Sequence, residues 1–409
     1  MMTWLRALAR DKHRIKAAAL IIGLIIILVP FQNCTQRMSF GGFLGSDQSD
    51  SQSSSIGTPS ILPSPTPSPS PGPPVAQVAA GGNHTCAFIV GGSLSCWGYN
   101  EFGQIGNGNT TNQLTPVTII SSGVTQIASG LAHTCAIVNE GLQCWGYNGE
   151  GQIGNGLTTT QLTPTTVIPS GVTQVSAGEY HTCAVVNGAL ECWGENQYGQ
   201  IGNGTTTNQL TPLQVIASGV TQVSGGGEYT CALVNGSLQC WGSNSNGQIG
   251  NGSTVIQTSP YTVIPSGVSQ FATGFAQTCA IVDGGLMCWG YNNSGQVGNG
   301  ATTDQLTPLS IIASGVTQVA AGYYHTCAIV GEGLECWGYN EYGQIGNGTT
   351  TTQLTPTSII ASGAMQATAG ENNTCTIVNS ALECWGYGAT GDVGDGATTN
   401  QLTPITINP

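Results

Sequence analysis

Fifteen cysteines and five histidines are the residues of this 409-residue chain with the most direct claim to chemistry. Fourteen of the cysteines fall into pairs: Cys86 with Cys96, Cys135 with Cys144, Cys183 with Cys192, Cys231 with Cys240, Cys279 with Cys288, Cys327 with Cys336, and Cys375 with Cys384. Such spacing does not match a zinc-ligand layout, and histidines are missing beside several pairs. It does match a hairpin. In the third pair AVVNGALE separates the cysteines, and Asn187-Gly188 is the strongest two-residue hairpin turn signal. Folding about that turn sets Ala184 opposite Glu191 and Cys183 opposite Cys192. Counting outward puts the pair at a non-hydrogen-bonded site, where opposed Cα atoms approach to about 4.5 Å and a disulfide can form. Asn235-Gly236 and Asp283-Gly284 repeat the arrangement. Cys86 and Cys96 are one residue further apart and need a three-residue loop, for which Gly91 and Gly92 can supply positive φ. Seven disulfides, one per hairpin, are therefore expected.

His84, His133, His181 and His325 each precede Thr-Cys, a repetition that could suggest a metal or acid-base centre. Tyr229, Gln277 and Asn373 hold the same place elsewhere, so an interchangeable hydrogen-bonding role fits better. The glycines of GQIGNG have no following Lys and no strand-to-helix context for a phosphate cradle, and read as turn glycines. No serine, histidine and carboxylate constellation stands out from the repeats. The expectation is a protein that is not an enzyme and that uses no cofactor and no metal.

The elements that carry these residues recur every 48 residues, as Trp97, Trp145, Trp193, Trp241, Trp289, Trp337 and Trp385 mark. Each unit reads as four short strands of the type VTQVAAG, HTCAIV, LECWG and LTPxxI, parted by Gly-rich or Asn-rich turns and lacking a helical apolar period. One such sheet cannot cover its own faces. Packing neighbours around an axis covers them, which is the β-propeller solution, with one tryptophan per unit serving the packing between sheets. A linear solenoid would need atypical polar caps, yet the first and last units are nearly standard.

His-Thr-Cys-Ala, then Cys-Trp-Gly-Xaa-Asn-Xaa-Xaa-Gly-Gln-Ile-Gly-Asn-Gly, then Leu-Thr-Pro resemble the regulator-of-chromosome-condensation repeat over residues 75–409. The resemblance implies an all-β, seven-bladed propeller of four-stranded antiparallel blades. It implies little about function, because the repeat serves exchange factors, photoreceptors, scaffolds and secreted inhibitors alike. Paired cysteines stand here where nuclear members commonly have apolar residues.

Charge narrows the partners. The six Lys and Arg residues (Arg6, Arg10, Lys12, Arg14, Lys16, Arg37) all precede residue 38. Of the 19 carboxylates only Asp11 does so, which leaves residues 38–409 with a formal charge of −18. Nucleic acid is excluded as a partner of that region, as is adsorption to an anionic membrane. The basic start and the apolar run Ala17 to Phe31 read as a signal peptide or signal anchor over residues 1–33. Cys34, the unpaired cysteine, follows at once, and the arrangement resembles a bacterial lipoprotein signal in which that cysteine is lipidated, although Phe31-Gln32-Asn33 replaces the usual small residues. Residues 34–74 form a Ser/Pro/Gly-rich linker ending in SPTPSPSPGPP. Disulfides need an oxidising compartment, which agrees with export to a bacterial cell envelope as an outer-membrane lipoprotein, or to the surface or periplasm.

Function belongs where the repeats differ. With strands alternating in direction, the loops joining first to second and third to fourth strands share one face, opposite the Asn-Gly hairpins. Leu131, Tyr180, Phe275, Tyr323 and Tyr324 vary on the first set, and Phe102, Tyr198 and Tyr342 on the second. Aromatics beside carboxylates on a Thr and Asn surface suit a binding face for a protein or glycan. Tyr99, Tyr147, Tyr291, Tyr339 and Tyr387 share one phase after Trp-Gly and read as structural. The expectation is a monomeric, membrane-tethered recognition propeller touching the membrane only through its N-terminal segment or a lipid. Its alternatives are an inhibitor of a secreted or periplasmic enzyme, similar to the β-lactamase-inhibitory propeller that shares this repeat, and a surface protein with no ligand.

Overall fold

The computed structural model describes residues 74–409. The expectations for the N-terminal segment, the linker before residue 74 and Cys34 lie outside the described residues. Seven sheets of four antiparallel strands succeed one another along the chain, each built from consecutive strands, here called A to D in chain order. Blade 3 is typical: Val172–Ala177, His181–Val186, Ala189–Gly194 and Gln209–Ile216. The A strands of neighbouring blades lie side by side around the axis. No helix occurs among the described residues.

Hairpin chemistry sets the register. Asn187 and Gly188 both take positive φ (50° and 81°), the pair of left-handed conformations that a two-residue turn matched to strand twist requires. Cys183 then pairs with Cys192 and Ala184 with Glu191. All seven expected disulfides form, each with Cα atoms 4.1 Å apart. In blade 1 the longer loop has Gly91 and Gly92 at φ 109° and 81°, and Phe88 pairs with Leu94 beyond it.

The period of two along each strand splits a blade into two faces with different tasks. On one face of blade 3, Cys183, Val185, Leu190 and Cys192 pack against Val220, Val223, Ala232 and Trp241 of blade 4. On the other, Ala184 and Trp193 meet the cystine, Ile137 and Leu142 of blade 2. Each cystine is thus buried between blades against the next blade's tryptophan, with an alanine opposite it except at the joint of blades 6 and 7, where Thr376 holds that place. Trp193 donates its indole N–H to the Gln152 carbonyl oxygen at 3.0 Å. Gly154, at φ +85°, makes room: a Cβ there would stand 2.5 Å from Trp193 Nε1.

The same joint closes the ring without strand exchange between the termini. Val75, Val78, Ala87 and Trp97 of blade 1 pack against Cys375, Ile377, Leu382 and Cys384 of blade 7, and Trp97 donates to the Asp392 carbonyl oxygen at 3.1 Å. Between A strands, glutamine amides replace a peptide ladder. Gln77 donates to the Ile127 carbonyl at 3.2 Å and accepts from the Ile127 N–H at 3.0 Å. Gln126, Gln174, Gln222, Gln270 and Gln318 repeat the link, and Gln366 completes it by accepting from the Val78 N–H at 3.2 Å.

Candidate functional site

The A strands line an axial cavity of about 300 Å³. At one end of it, on the face of the A–B and C–D loops, seven equivalent positions converge: Gly82, Leu131, Glu179, Gly227, Phe275, Tyr323 and Glu371. Two glycines among them leave space that the following blade fills. A Cβ on Gly82 would stand 2.7 Å from Leu131 Cδ1, and one on Gly227 would stand 2.9 Å from Phe275 Cδ2. Leu131 and Phe275 therefore lean over the preceding blade. Tyr323 does likewise and stacks on Phe275, with ring centroids 5.2 Å apart and planes at 21°. Its hydroxyl is sealed from solvent and has no hydrogen-bond partner. Burial first, and then Glu179 and Glu371, push that hydroxyl well above the usual phenol range. Glu179 is three blades from Tyr323 around the ring and Glu371 is on the next blade, so the phenol feels carboxylates from two sides of the axis.

Aromatic rings run over this face in two series, of which the second starts at the mouth. Tyr99, Phe102, Tyr147 and Tyr180 touch in succession across blades 1 to 3, with centroids 6.4, 5.2 and 6.0 Å apart. Phe275, Tyr323 and Tyr324 begin the second, which continues through Tyr339 and Tyr342 to Tyr387, with Tyr291 as a branch on Tyr324. Edge-to-face pairs dominate both, as the ring quadrupole favours. The break falls at blades 3 and 4, where Glu195 and Ser243 take the tyrosine position and are buried. Tyr198 lies in that break, outside both series.

Of the residues singled out from sequence, Tyr180 joins the first series with Phe102, and Phe275, Tyr323, Tyr324 and Tyr342 fall in the second. Leu131 sits at the mouth over Gly82. Phase after Trp-Gly marks Tyr99, Tyr147, Tyr291, Tyr339 and Tyr387 as structural, yet their half-buried rings connect the variable ones. A fixed phase on a C–D loop was itself a signal that they share this face. Tyr99 donates to Glu101 at 2.5 Å, and Tyr339 donates to Glu341.

Carboxylates favour the same face. Glu101, Glu150, Glu179, Glu195, Glu228, Glu341 and Glu371 all stand in A–B or C–D loops, whereas the hairpin turns carry Glu140, Asp283 and Glu332. Glu371 accepts from Asn83 Nδ2 at 3.3 Å. Asp392, buried at the joint of blades 7 and 1, has its carboxyl pushed up to about 8 by burial, against a hydrogen bond from the Thr390 hydroxyl shared between its two oxygens.

The repeated histidines are joints. His84 Nε2 lies 2.8 Å from Thr134 Oγ1 on the next blade, and that hydroxyl donates to the Gln104 carbonyl oxygen at 2.7 Å. Because the threonine proton is committed, the network assigns the proton to His84 Nε2. His133, His181 and His325 repeat the link. Burial lowers them to about 3 for His84, His133 and His325 and about 4 for His181, so they are neutral at physiological pH. Tyr229, Gln277 and Asn373 bond across the next joint in their own ways, to the Gln277 carbonyl, the Gly322 carbonyl and the Thr85 hydroxyl.

Known proteins share this architecture. Human WBSCR16 superposes with a TM-score of 0.68 at 22% identity, covering 78% of this chain and 94% of its own. Prp20p of Saccharomyces cerevisiae does so with a TM-score of 0.69 at 20% identity, covering 82% and 86%. In sequence, 66 residues are 38% identical to the Arabidopsis thaliana ultraviolet-B receptor UVR8, which is 15% of this chain and 15% of that protein. A further 36% identity over 73 residues links it to human E3 ubiquitin-protein ligase HERC2, across 17% of this chain and 2% of the ligase. The matched segments thus span a small part of these relatives. The RCC1-like domain model matches residues 40–313, and regulator of chromosome condensation (RCC1) repeat models match residues 316–344 and 336–377. With seven cystine-bearing blades in a ring and these matches along the chain, the protein belongs to the RCC1-like propeller family.

Proposed function

We propose that the protein is an exported, membrane-tethered recognition module whose loop face binds a protein partner. The observation that carries the reading is the pair of aromatic series that run over that face among carboxylates, the second of them starting at the mouth of the axial cavity with Phe275 and Tyr323. Tyrosine-rich patches of this kind supply large contact area at low conformational cost, and they concentrate binding energy in a few residues. A glycan would call for tryptophan or tyrosine platforms in a pocket. Here all seven propeller tryptophans are buried between blades, and the tyrosines meet edge-to-face in series spread over the face and not as platforms in a pocket, which favours the protein partner. Yeast RCC1 in complex with Kap60, and Prp20p with its binding to Gsp1p and histones, support protein binding by propellers of this family.

Export rests on the seven buried cystines, which form in oxidising compartments, and on the basic-then-apolar N-terminus. Tethering rests on Cys34 or on retention of residues 1–33 as an anchor, with the linker setting the propeller away from the membrane. Absence of Lys and Arg beyond residue 37 speaks against nucleic acid. No acid-base or nucleophilic constellation supports an enzyme reading, since the histidines are committed to the joints.

Affinity capture from envelope extracts tests the assignment, comparing the full chain with a variant carrying Tyr180→Ala, Tyr323→Ala and Tyr324→Ala. Loss of a specific captured protein is expected. Equal capture by both proteins would overturn the choice of face.

A further inference from the structure

We infer that the C–D loop of blade 7, residues 387–400, is a proton-held clasp on the ring: it fastens blade 7 to blade 1 while the Asp392 carboxyl keeps its proton, and it opens away from that joint as the proton is given up. The inference goes beyond the recognition reading and does not depend on which molecule the loop face binds.

Three departures from the repeat coincide at this one joint. At the position of Asp392 the other blades carry glutamine, from Gln104 to Gln344 in steps of 48, each buried and unable to ionise. Asp392 is 1% exposed, its two oxygens share the Thr390 hydroxyl at 2.8 and 2.9 Å, and a Cβ on Gly98 of blade 1 would stand 3.0 Å from its Oδ1. Next, Gly388 stands where the other six blades have a buried asparagine. Asn340 of blade 6 shows what such a side chain does: its Oδ1 accepts from the Ile345 N–H at 2.9 Å, and its Nδ2 donates to the Thr349 and Thr351 carbonyls at 3.0 Å each. The blade 7 loop is built without that internal tie. Lastly, Asn373 replaces the joint histidine, and its Oδ1 is buried without a partner. The joint nevertheless depends on this loop, because the Asp392 main-chain carbonyl accepts from Trp97 at 3.1 Å and from the Thr85 hydroxyl at 2.9 Å, both on blade 1. One residue thus carries both the titrating group and the acceptor that holds the next blade.

A carboxyl in that place is stable as the neutral acid, whereas its ionised form is costly to keep from water. Burial first, and then Glu371 from the A–B loop of blade 7, push it up to about 8, against the Thr390 hydroxyl and the Tyr99 N–H. The other titratable groups of the surrounding elements are Tyr387 at the start of the loop, Asp395 within it, and His84 and Glu101 on blade 1. Asp395 accepts from the Ala397 N–H and the Gln401 amide, neutral His84 is engaged with Thr134, and Glu101 accepts from Tyr99. In the open loop the Asp392 carboxyl returns to an ordinary value near 4. Opening therefore releases a proton at pH values from about 4 to about 8, becomes about tenfold more favourable per pH unit across that window, and levels off above it. Tyr387, which ends the second aromatic series 5.1 Å from Tyr342, moves with the loop, so the clasp alters the loop face as pH rises.

Hydrogen exchange read by mass spectrometry on the full chain tests this, with protection corrected for the intrinsic exchange rate. Residues 387–400 are compared with 243–256, the same loop of blade 4, which has no ionisable side chain. Between pH 6 and pH 8 the blade 7 loop should lose about a hundredfold in protection while the blade 4 loop changes little. Asp392→Gln, which installs the residue of the other six blades, and Asp392→Asn should each flatten the profile of the blade 7 loop. Protection of that loop independent of pH, an equal loss in both loops, or a loss that persists in either folded variant would each overturn the inference. The wild-type comparison of the two loops decides the matter even where a variant fails to fold.

Discussion

Tyr323 stacks on Phe275 across the joint of blades 6 and 5, at 5.2 Å between ring centroids. Two residues 48 positions apart become neighbours because equivalent loops converge on one axis. Phe275 can lean that far only because Gly227 of blade 4 has no side chain in its way. The centre of the face is therefore a packed unit, whereas Tyr198 lies outside both aromatic series.

Phe275→Ala should accordingly weaken binding of the captured partner by about 2 kcal/mol, since it removes a central anchor and the support of Tyr323. Tyr198→Ala, outside both aromatic series, should cost about 0.5 kcal/mol or less. Surface plasmon resonance with the purified partner measures both. A reversed order would place the energetic centre elsewhere.

At the histidine position, His181→Gln should be tolerated, because Gln277 already fills that place in blade 5. His181→Ala removes the bond to the buried Thr230 hydroxyl, which keeps only the Gln200 carbonyl, and should lose about 1–3 kcal/mol in urea unfolding. Equal loss from the two substitutions would mean that the ring, and not its hydrogen bond, matters.

pH should act on this fold through opposing groups. Asp392 is raised to about 8 when folded, so its protonated form is favoured by folding, and its contribution is lost as pH rises from the unfolded value toward 8. The four histidines lowered to about 3 or 4 work the other way: their contribution is full above the unfolded value near 6.5 and is lost as pH falls. Asp392→Asn isolates the first effect. Its stability gain over wild type should be near zero at pH 4 and grow to a few kcal/mol by pH 8, at about 1.4 kcal/mol per pKa unit. Thermal melts across that range decide it, and a gain that shrinks with pH would refute the assignment.

Each cystine closes a small loop within one blade. Replacing Cys183 and Cys192 together by Ala should cost about 2–3 kcal/mol by the chain-entropy estimate, read from urea unfolding. Non-reducing peptide mapping should find only links within repeats. A protease other than trypsin is required, because no Lys or Arg follows residue 37. A link between repeats would contradict the hairpin register.

Much of this architecture is legible in the chain because it is local. Asn187-Gly188 names its turn, and counting outward from the turn sets Cys183 against Cys192. The 48-residue recurrence of tryptophan counts the blades. The histidines were legible in half: replacement by Tyr229, Gln277 and Asn373 reveals a hydrogen-bonding place, but the threonine that bonds each one lies on the next blade. Nor could the glutamine of VTQV be told from an exposed strand residue. Its amide bridges two A strands only once they stand side by side about the axis.

The sequence by itself thus determined the strands, the turns, the cystine pairs, the number of blades and the absence of basic charge beyond residue 37. These follow from periods of two, from turn chemistry and from composition, all of which act within a few residues or over the whole chain. Tertiary structure alone decided which blade face meets which cystine and how Trp97 at one end of the ring finds Asp392 at the other. It also decided that Leu131, Glu179, Phe275, Tyr323 and Glu371 crowd one mouth. Residues at equal phase in successive repeats are far apart along the chain, and ring closure is what turns equal phase into proximity.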